Sequence, residues 1–199
     1  ATFTTHLLES IALNAQDKAC WAVAMNDRPE GYSYPPQVRL EISQNQLNEY
    51  SVTADLLNLD QVDVVCLQHE YGIFGGKRGS FIIELLRDLK MPVVTTLHTI
   101  LKDPNIQERQ IMMQLAEFSD RLVVMSERSV EFLRDIYQVP VEKIALIHHG
   151  IPDVPFVDSD AYKEKLGVSG KKVILTFGLL SPSKGIEVVI DALPEIVKT

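Results

Sequence analysis

The clearest indication of the fold is the segment Val62-Asp63-Val64-Val65-Cys66-Leu67-Gln68-His69-Glu70-Tyr71-Gly72. It is a β-branched, apolar run that ends in polar side chains and a glycine. It lacks the alternation expected of a strand with one solvated face, and such runs are typical of strands covered on both faces in a parallel sheet. Similar runs recur, and we expect a strand at each: Cys20 to Met25, Val38 to Ile42, Pro92 to Leu97, Arg121 to Met125, Ile144 to Ile147 and Val173 to Phe177.

Helical patterns lie between these runs. Apolar residues repeat at helical spacing over residues 3–15, 81–89 and 130–137. Two further helices are predicted, one from Pro104 to Phe118 with its proline in the first turn, and one from Ser183 to about Val197. Alternating strands and helices joined by right-handed crossovers predict an α/β fold with a doubly wound parallel sheet.

The chain divides by composition into three parts. Residues 1–150 form the main α/β domain. Residues 151–170 begin with a proline-rich segment, contain Gly167 and Gly170, and are predicted to be a linker. Residues 171–199 contain one strand and one helix, which is too little for a domain. Because the chain also opens on a helix with no strand ahead of it, we expect a piece of a longer protein, cut at both ends.

Composition excludes several classes of protein. The 199 residues include 46% hydrophobic and 23% charged residues and carry a net charge of −8, which opposes general attraction to nucleic acid. No apolar run approaches the roughly 18 residues of a membrane helix, so we expect a soluble, cytoplasmic protein. Cys20 and Cys66 lie inside apolar runs without CxxC spacing, and we expect buried packing thiols.

The histidines mark a candidate site. His69, His98 and the pair His148-His149 each follow an apolar run directly. In an open parallel sheet these positions are the carboxyl ends of the strands, where the ligand crevice lies. The alternatives are hydrogen-bonded loop histidines or zinc ligands, but no HExxH or other short ligand spacing supports a metal site.

Two glycine-containing loops are candidate anion or polyhydroxyl sites. The glycine loop, residues 72–79, contains four glycines, Lys77 and Arg78, and leads into a helix. Residues 177–185 form the second loop, in which Lys184 is predicted to lie in the first turn of the next helix and to meet an anion there. The alternatives are a flexible turn with solvated charges and an exposed lysine.

The motifs Gln68-His69-Glu70-Tyr71-Gly72-Ile73-Phe74-Gly75-Gly76, Thr95-Thr96-Leu97-His98-Thr99, His149-Gly150-Ile151-Pro152-Asp153 and Lys184-Gly185 together resemble family 4 glycosyltransferases. The resemblance implies a GT-B enzyme with two facing Rossmann-like domains, of which this chain holds the N-terminal one. It implies sugar transfer, in the manner of a hexosyltransferase, from a nucleotide-sugar donor to a carbohydrate or lipid-linked acceptor. It also implies that configuration is retained and that no metal or other cofactor is required.

The resemblance also assigns roles to particular residues. His98 matches the pocket histidine near the reacting centre. The acceptor-side loop contains His69, Glu70, Gly75 and Gly76. The donor diphosphate is held by Gly178 and Lys184, and His149 and Gly150 are hinge-side residues. The family places arginine after Gly178, whereas this chain has Leu179, so one diphosphate contact is missing.

Further expectations follow from the predicted truncation. The family's opening strand should precede Ala1 and its paired glutamates should follow Thr199, so we expect the chain alone to be inactive or nearly so. Unpaired strand edges are templates for association, which predicts that the isolated chain dimerises. Two rival functions remain at this stage, a sugar-nucleotide epimerase and a non-catalytic nucleotide- or carbohydrate-binding module.

Overall fold

A computed structural model describes residues 2–151, 153–177, 180 and 184–198 of the protein. The chain forms two compact units, Ala1–Pro152 and Asp153–Thr199, and the division lies within the proline-rich segment. The first unit contains α1 (Thr2–Asn14), β1 (Ala22–Asn26), β2 (Val38–Ser43), α2 (Leu47–Leu59), β3 (Val65–His69), α3 (Ile82–Asp88), β4 (Val93–Leu97), α4 (Ile106–Phe118), β5 (Arg121–Val124), α5 (Glu127–Asp135) and β6 (Ile144–Leu146). The second unit contains α6 (Ser159–Lys165) and α7 (Ile186–Ile196).

All strand pairs in the first unit are parallel. The strands β3, β4, β5 and β6 form a four-stranded sheet in that order, and β1 and β2 form a separate pair. Because the strand order follows the chain order and such crossovers are right-handed as a rule, α3, α4 and α5 lie on one face of the larger sheet, and residues of all three belong to one core cluster. The prediction of a parallel α/β fold is therefore confirmed. Because the strands are parallel, the carboxyl ends of all four strands of the larger sheet lie at one edge.

The helix-covered face of the larger sheet holds the core. Strand residues on this face are almost fully buried: Val93, Leu97, Leu122 and Val124. They belong to one apolar cluster with residues of α3 and α4, including Ile82, Leu86, Met112 and Leu115. Side chains alternate along a strand, so Cys66 points to the opposite face, where it is exposed. The prediction that Cys66 is buried is wrong, and Cys20 is only half-buried.

Side-chain caps explain where two helices begin. The Asn105 side chain accepts hydrogen bonds from the amides of Gln107 and Glu108, both at 3.0 Å, and Glu108 accepts one from the Asn105 amide. This capping box starts α4 at Ile106, so Pro104 precedes the cap and does not lie in the first turn. At α5 the hydroxyl of Ser126 caps the helix by accepting a hydrogen bond from the amide of Ser129 at 3.2 Å. Every helix in the described part of the chain is too short or too polar to cross a bilayer.

The second unit differs from the sequence prediction. Residues 173–177 form no strand, and Leu175 and Phe177 are 77% and 96% exposed. A parallel strand needs a hydrogen-bonded neighbour, and no described strand pairs with this segment. The predicted linker contains α6, which Asp158 caps. Helix α7 begins at Ile186, later than predicted, and includes Pro194.

Candidate functional site

The carboxyl ends of β3 and β4 bring together four polar side chains, which we call the strand-end cluster: Gln68, Glu70, His98 and Thr99. The ladder places His69 opposite Leu97, and the amide of His98 donates to the carbonyl of His69 at 3.1 Å. The chain then leaves both strands at the same edge of the sheet. The polar residues that follow each strand must therefore be neighbours, as the histidine pattern predicted for His98.

His98 is held as a neutral ring at the centre of the cluster. Its Nε2 lies 2.9 Å from Oε1 of Gln68. Burial lowers the pKa of His98, and the nearby charge of Glu70 only partly opposes that shift. Because the unperturbed pKa of histidine is already about 6.5, the imidazole is mostly uncharged at neutral pH. A neutral, half-buried imidazole can orient a hydroxyl group without repelling a developing positive charge.

Glu70 links the two strand ends through its carboxylate. Its Oε2 accepts a hydrogen bond from Oγ1 of Thr99 at 2.6 Å, and its Oε1 accepts one from the amide of Tyr71 at 3.0 Å. Each carboxylate oxygen has a second lone pair, so both remain able to accept a hydrogen bond from a ligand. The carboxylate is thus fixed in position and still available to a polyhydroxyl molecule.

Phe3 adds an aromatic wall that the sequence pattern did not indicate. Its ring centroid lies 4.8 Å from that of His98 and 5.3 Å from that of His149, with near-perpendicular planes in both cases. These are favourable edge-to-face arrangements. The start of α1 therefore brings the two histidines to one place. His149 and Gly150 are exposed, and the His149 ring contacts the Gly150 carbonyl at 2.9 Å.

His69 lies outside the strand-end cluster. Its side chain has no exposed surface, stacks on Phe74 at 5.8 Å and meets the edge of Tyr71 at 5.2 Å. Neither ring nitrogen has a hydrogen-bond partner among the described residues. Burial, with a smaller effect of His98, lowers the pKa of His69 to about 4. A buried side chain offers no surface to a sugar acceptor, so the structure does not support the expected direct contact between His69 and the acceptor.

Strand alternation explains why Gln68, and not His69, reaches His98. Adjacent residues of a strand point to opposite faces of the sheet. His69 shares the covered face with Leu67, which is 9% exposed, whereas Gln68 lies on the face of the exposed Cys66. Alternation along β3 predicts from the sequence that Gln68 and His69 lie on opposite faces, and the burial of Leu67 in the structure shows which face is covered.

Two glycines of the glycine loop, Gly75 and Gly76, serve packing within the protein. A Cβ on Gly75 would overlap the carbonyl oxygen of Gln44 and would lie 2.7 Å from the Phe81 ring. The Gly75 amide donates to the Tyr50 hydroxyl at 3.0 Å. Gly76 has φ 76°, and a Cβ there would lie 2.5 Å from the Phe81 ring. The close approach that requires glycine is thus made by the protein's own backbone and an aromatic ring.

The cations of the two loops differ in their surroundings. Arg78 pairs with Glu108 at 3.3 Å, which ties the glycine loop to the cap of α4. Lys77 is exposed and makes no ion pair within the described residues. Lys184 is exposed and precedes Gly185, the N-cap of α7, so it lies just before the first turn. Gly178 and Leu179 lie outside the described residues.

The part of the chain that the structure describes contains no group of three or more His, Cys, Asp or Glu side chains arranged to hold a metal ion. The strand-end cluster contributes one imidazole and one carboxylate, and both are already hydrogen-bonded within the chain.

Comparisons with known proteins found a similar fold and a matching family. The chain is similar in fold to a glycosyltransferase from Rickettsia africae ESF-5, with a TM-score of 0.55 and 20% sequence identity; the match covers 79% of this chain and 44% of that one. None of the curated proteins matches the chain. The family model described as Glycosyltransferase Family 4 matches residues 16–153, which is more than half of the chain. The chain therefore belongs to Glycosyltransferase Family 4.

Proposed function

We propose that this chain is the acceptor-side part of a glycosyltransferase that takes a sugar from a nucleotide-sugar donor and retains its configuration. The observation that carries the proposal is the strand-end cluster, where a neutral His98 and the fixed carboxylate of Glu70 meet at the carboxyl edge of a parallel sheet. That edge is where open α/β sheets bind their ligands. Membership of the family supplies the general reaction, glycosyl transfer.

The barrier to such a reaction is charge separation. The sugar becomes oxocarbenium-like while the diphosphate leaves with negative charge, and fixed groups that meet these charges lower the barrier. His98 contributes a hydrogen bond to a sugar hydroxyl and, because it is neutral, adds no positive charge beside the oxocarbenium. In a front-face mechanism the leaving phosphate accepts the proton of the acceptor, so His98 needs no role as a base.

The acceptor is proposed to bind at Glu70. A carboxylate whose oxygens each keep a free lone pair suits a hydroxyl-rich molecule, such as a carbohydrate or a lipid-linked saccharide. Gly75 and Gly76 contribute by allowing the glycine loop, which follows Glu70 in the chain, to pack closely against Gln44 and Phe81. Glu70 acts in this proposal as a hydrogen-bond acceptor and forms no covalent intermediate.

The donor diphosphate is proposed to bind at Lys184, together with the loop that begins at Gly178. Support comes from the exposure of Lys184 and from its place just before α7, because a helix N-terminus and a cation both favour an anion. His149 and Gly150 are proposed to lie at the hinge between the enzyme's two domains. No metal is required in this scheme.

The 199-residue chain is proposed to act as part of a longer protein and to have little activity by itself. The chain spans 44% of the glycosyltransferase from Rickettsia africae ESF-5 that it resembles. We also propose that the isolated chain self-associates through its sheet edges. Light scattering across a range of concentrations tests this second point, and a monomer at every concentration would contradict it.

The proposed reaction is tested by incubating the chain, and a longer protein that carries it, with nucleotide sugars and saccharide acceptors. NMR of the product reports the configuration at the transferred carbon. We expect transfer with retention by the longer protein and little transfer by the chain alone. Inversion, or ordinary turnover by the 199-residue chain, would contradict the corresponding part of the proposal. Tight donor binding without any transfer would favour a non-catalytic binding module.

A further inference from the structure

Gln68 makes the contact that fixes the ring of His98. The β3–β4 ladder pairs Gln68 with Thr96, two residues before His98 and on the same face of the sheet. The amide of Gln68 spans this distance: its Oε1 lies 2.9 Å from His98 Nε2, and its Nε2 donates to Thr96 Oγ1 at 3.5 Å. Gln68 is itself half-buried. One amide group therefore connects the strand interior to the imidazole at the strand end.

The chemistry of this contact selects one form of the imidazole. A neutral imidazole has one N–H donor and one nitrogen that only accepts. The carbonyl oxygen of an amide can only accept a hydrogen bond. When Oε1 faces Nε2, the proton must therefore be on Nε2, and Nδ1 is left with a free lone pair.

We infer that Gln68 is a positioning residue that holds His98 as the Nε2–H tautomer, so that Nδ1 accepts a hydrogen bond from a hydroxyl group of the sugar substrate. The tautomer follows from contacts within the chain, and only the identity of the substrate depends on the proposed function. One consequence concerns specificity. A nitrogen that only accepts binds a hydroxyl, whereas it offers no proton to a phosphate oxygen.

The opposite orientation of the amide makes the opposite prediction. If the amide nitrogen of Gln68 faced His98, it would donate to Nε2 and the ring proton would lie on Nδ1. The hydroxyl of Thr96 can donate or accept, so it suits either orientation. The position of the ring proton therefore decides between the two arrangements.

NMR of the chain labelled with ¹⁵N-histidine measures that position directly, because long-range ¹H–¹⁵N spectra distinguish protonated from unprotonated ring nitrogens. The spectra are recorded above the pKa of His98, and the substitution His98→Gln identifies its signals. We expect Nε2 to be protonated in the unmodified chain. In Gln68→Met, which keeps the length of the side chain and removes its polar atoms, the tautomer ratio should shift by roughly fivefold towards Nδ1–H.

Gln44→Met is the matched control. Gln44 donates from its side chain to the carbonyl of Gly72 at 3.1 Å and does not contact His98, so the same substitution there should leave the tautomer unchanged. Gln68→Glu provides a rescue, because a carboxylate oxygen also accepts from Nε2. It should restore Nε2–H, and its added negative charge should raise the pKa of His98. If Gln68→Met fails to fold, the raised pKa of His98 expected in Gln68→Glu tests the same contact between residue 68 and the imidazole.

Two results would overturn the inference: an Nδ1–H tautomer in the unmodified chain, or the same tautomer ratio in Gln68→Met as in Gln44→Met. Both are independent of any activity. A glycosyl transfer assay that showed no product would count against the proposed function and leave the tautomer result standing. If transfer is observed, Gln68→Met should lower kcat/KM for a donor with its hydroxyls intact more than for the matching deoxy-sugar donor.

Discussion

Replacing Gly75 by alanine should destabilise the first unit strongly, although it adds a single methyl group. That methyl would overlap the backbone oxygen of Gln44 and would lie 2.7 Å from the ring of Phe81. The loop has little freedom to move away. The Gly75 amide is bonded to the Tyr50 hydroxyl and its carbonyl accepts from the Phe81 amide, both at 3.0 Å. Overpacking of this kind costs about 2–3 kcal/mol in the free energy of unfolding.

Chemical denaturation followed by circular dichroism measures this cost, with Gly72→Ala as the matched control. A Cβ on Gly72 meets no described atom within 4 Å, so that variant should remain within about 0.5 kcal/mol of the unmodified chain. In thermal unfolding, Gly75→Ala should lower Tm by roughly 4–12 °C. If Gly75→Ala were as stable as Gly72→Ala, the packing explanation of the glycine loop would be wrong.

Three other changes should have measurable effects. Tyr50→Phe removes a buried hydroxyl that accepts from a loop amide and donates to a backbone carbonyl, and it should cost about 1–3 kcal/mol in denaturation, whereas Tyr162→Phe, at an exposed ring, should cost little. The pKa of His69 is about 4 in the folded state, lower than in the unfolded state, so the unfolded state binds the proton first as the pH falls. The free energy of unfolding should therefore fall by about 3 kcal/mol between pH 6.5 and 4. His69→Phe should reduce this pH dependence, and an unchanged dependence would contradict the burial of a neutral ring. Asn105→Ala breaks the capping box of α4 and should cost about 1 kcal/mol, while an unaltered midpoint would show that the cap contributes nothing.

Much of the fold follows from the apolar runs. The run ending at Leu67 and the run from Pro92 to Leu97 each predicted a strand, and the structure places them side by side as β3 and β4. Their order was predictable because consecutive strands with helical crossovers are usually neighbours. Helix α2 was missed, although Tyr50, Ala54 and Leu57 are buried at helical spacing, because polar residues surround them in the sequence.

Part of the candidate site could be predicted from the sequence. The apolar runs predict that His98 follows a strand, but they do not tell which face of the sheet a side chain occupies. They therefore indicated His69 as an acceptor-binding residue and gave no signal for Gln68, which contacts His98. Glycine content suggested ligand approach, whereas the close contacts of Gly75 are within the protein. Such contacts join residues distant in sequence, and local patterns carry no record of them. The strand predicted over residues 173–177 failed for a related reason, because a strand depends on a partner.

If the strand-end cluster is the reacting centre of a glycosyl transfer, removing the His98 ring must slow the reaction. This effect is measured by comparing kcat/KM for sugar transfer by His98→Ala and His6→Ala in a longer protein that carries this chain. His6 is an exposed histidine of α1 and serves as the control. We expect a loss of at least about a hundredfold for His98→Ala, the usual cost of removing one group that stabilises the transition state, and none for His6→Ala. Equal activity of the two variants would contradict this role of the strand-end cluster.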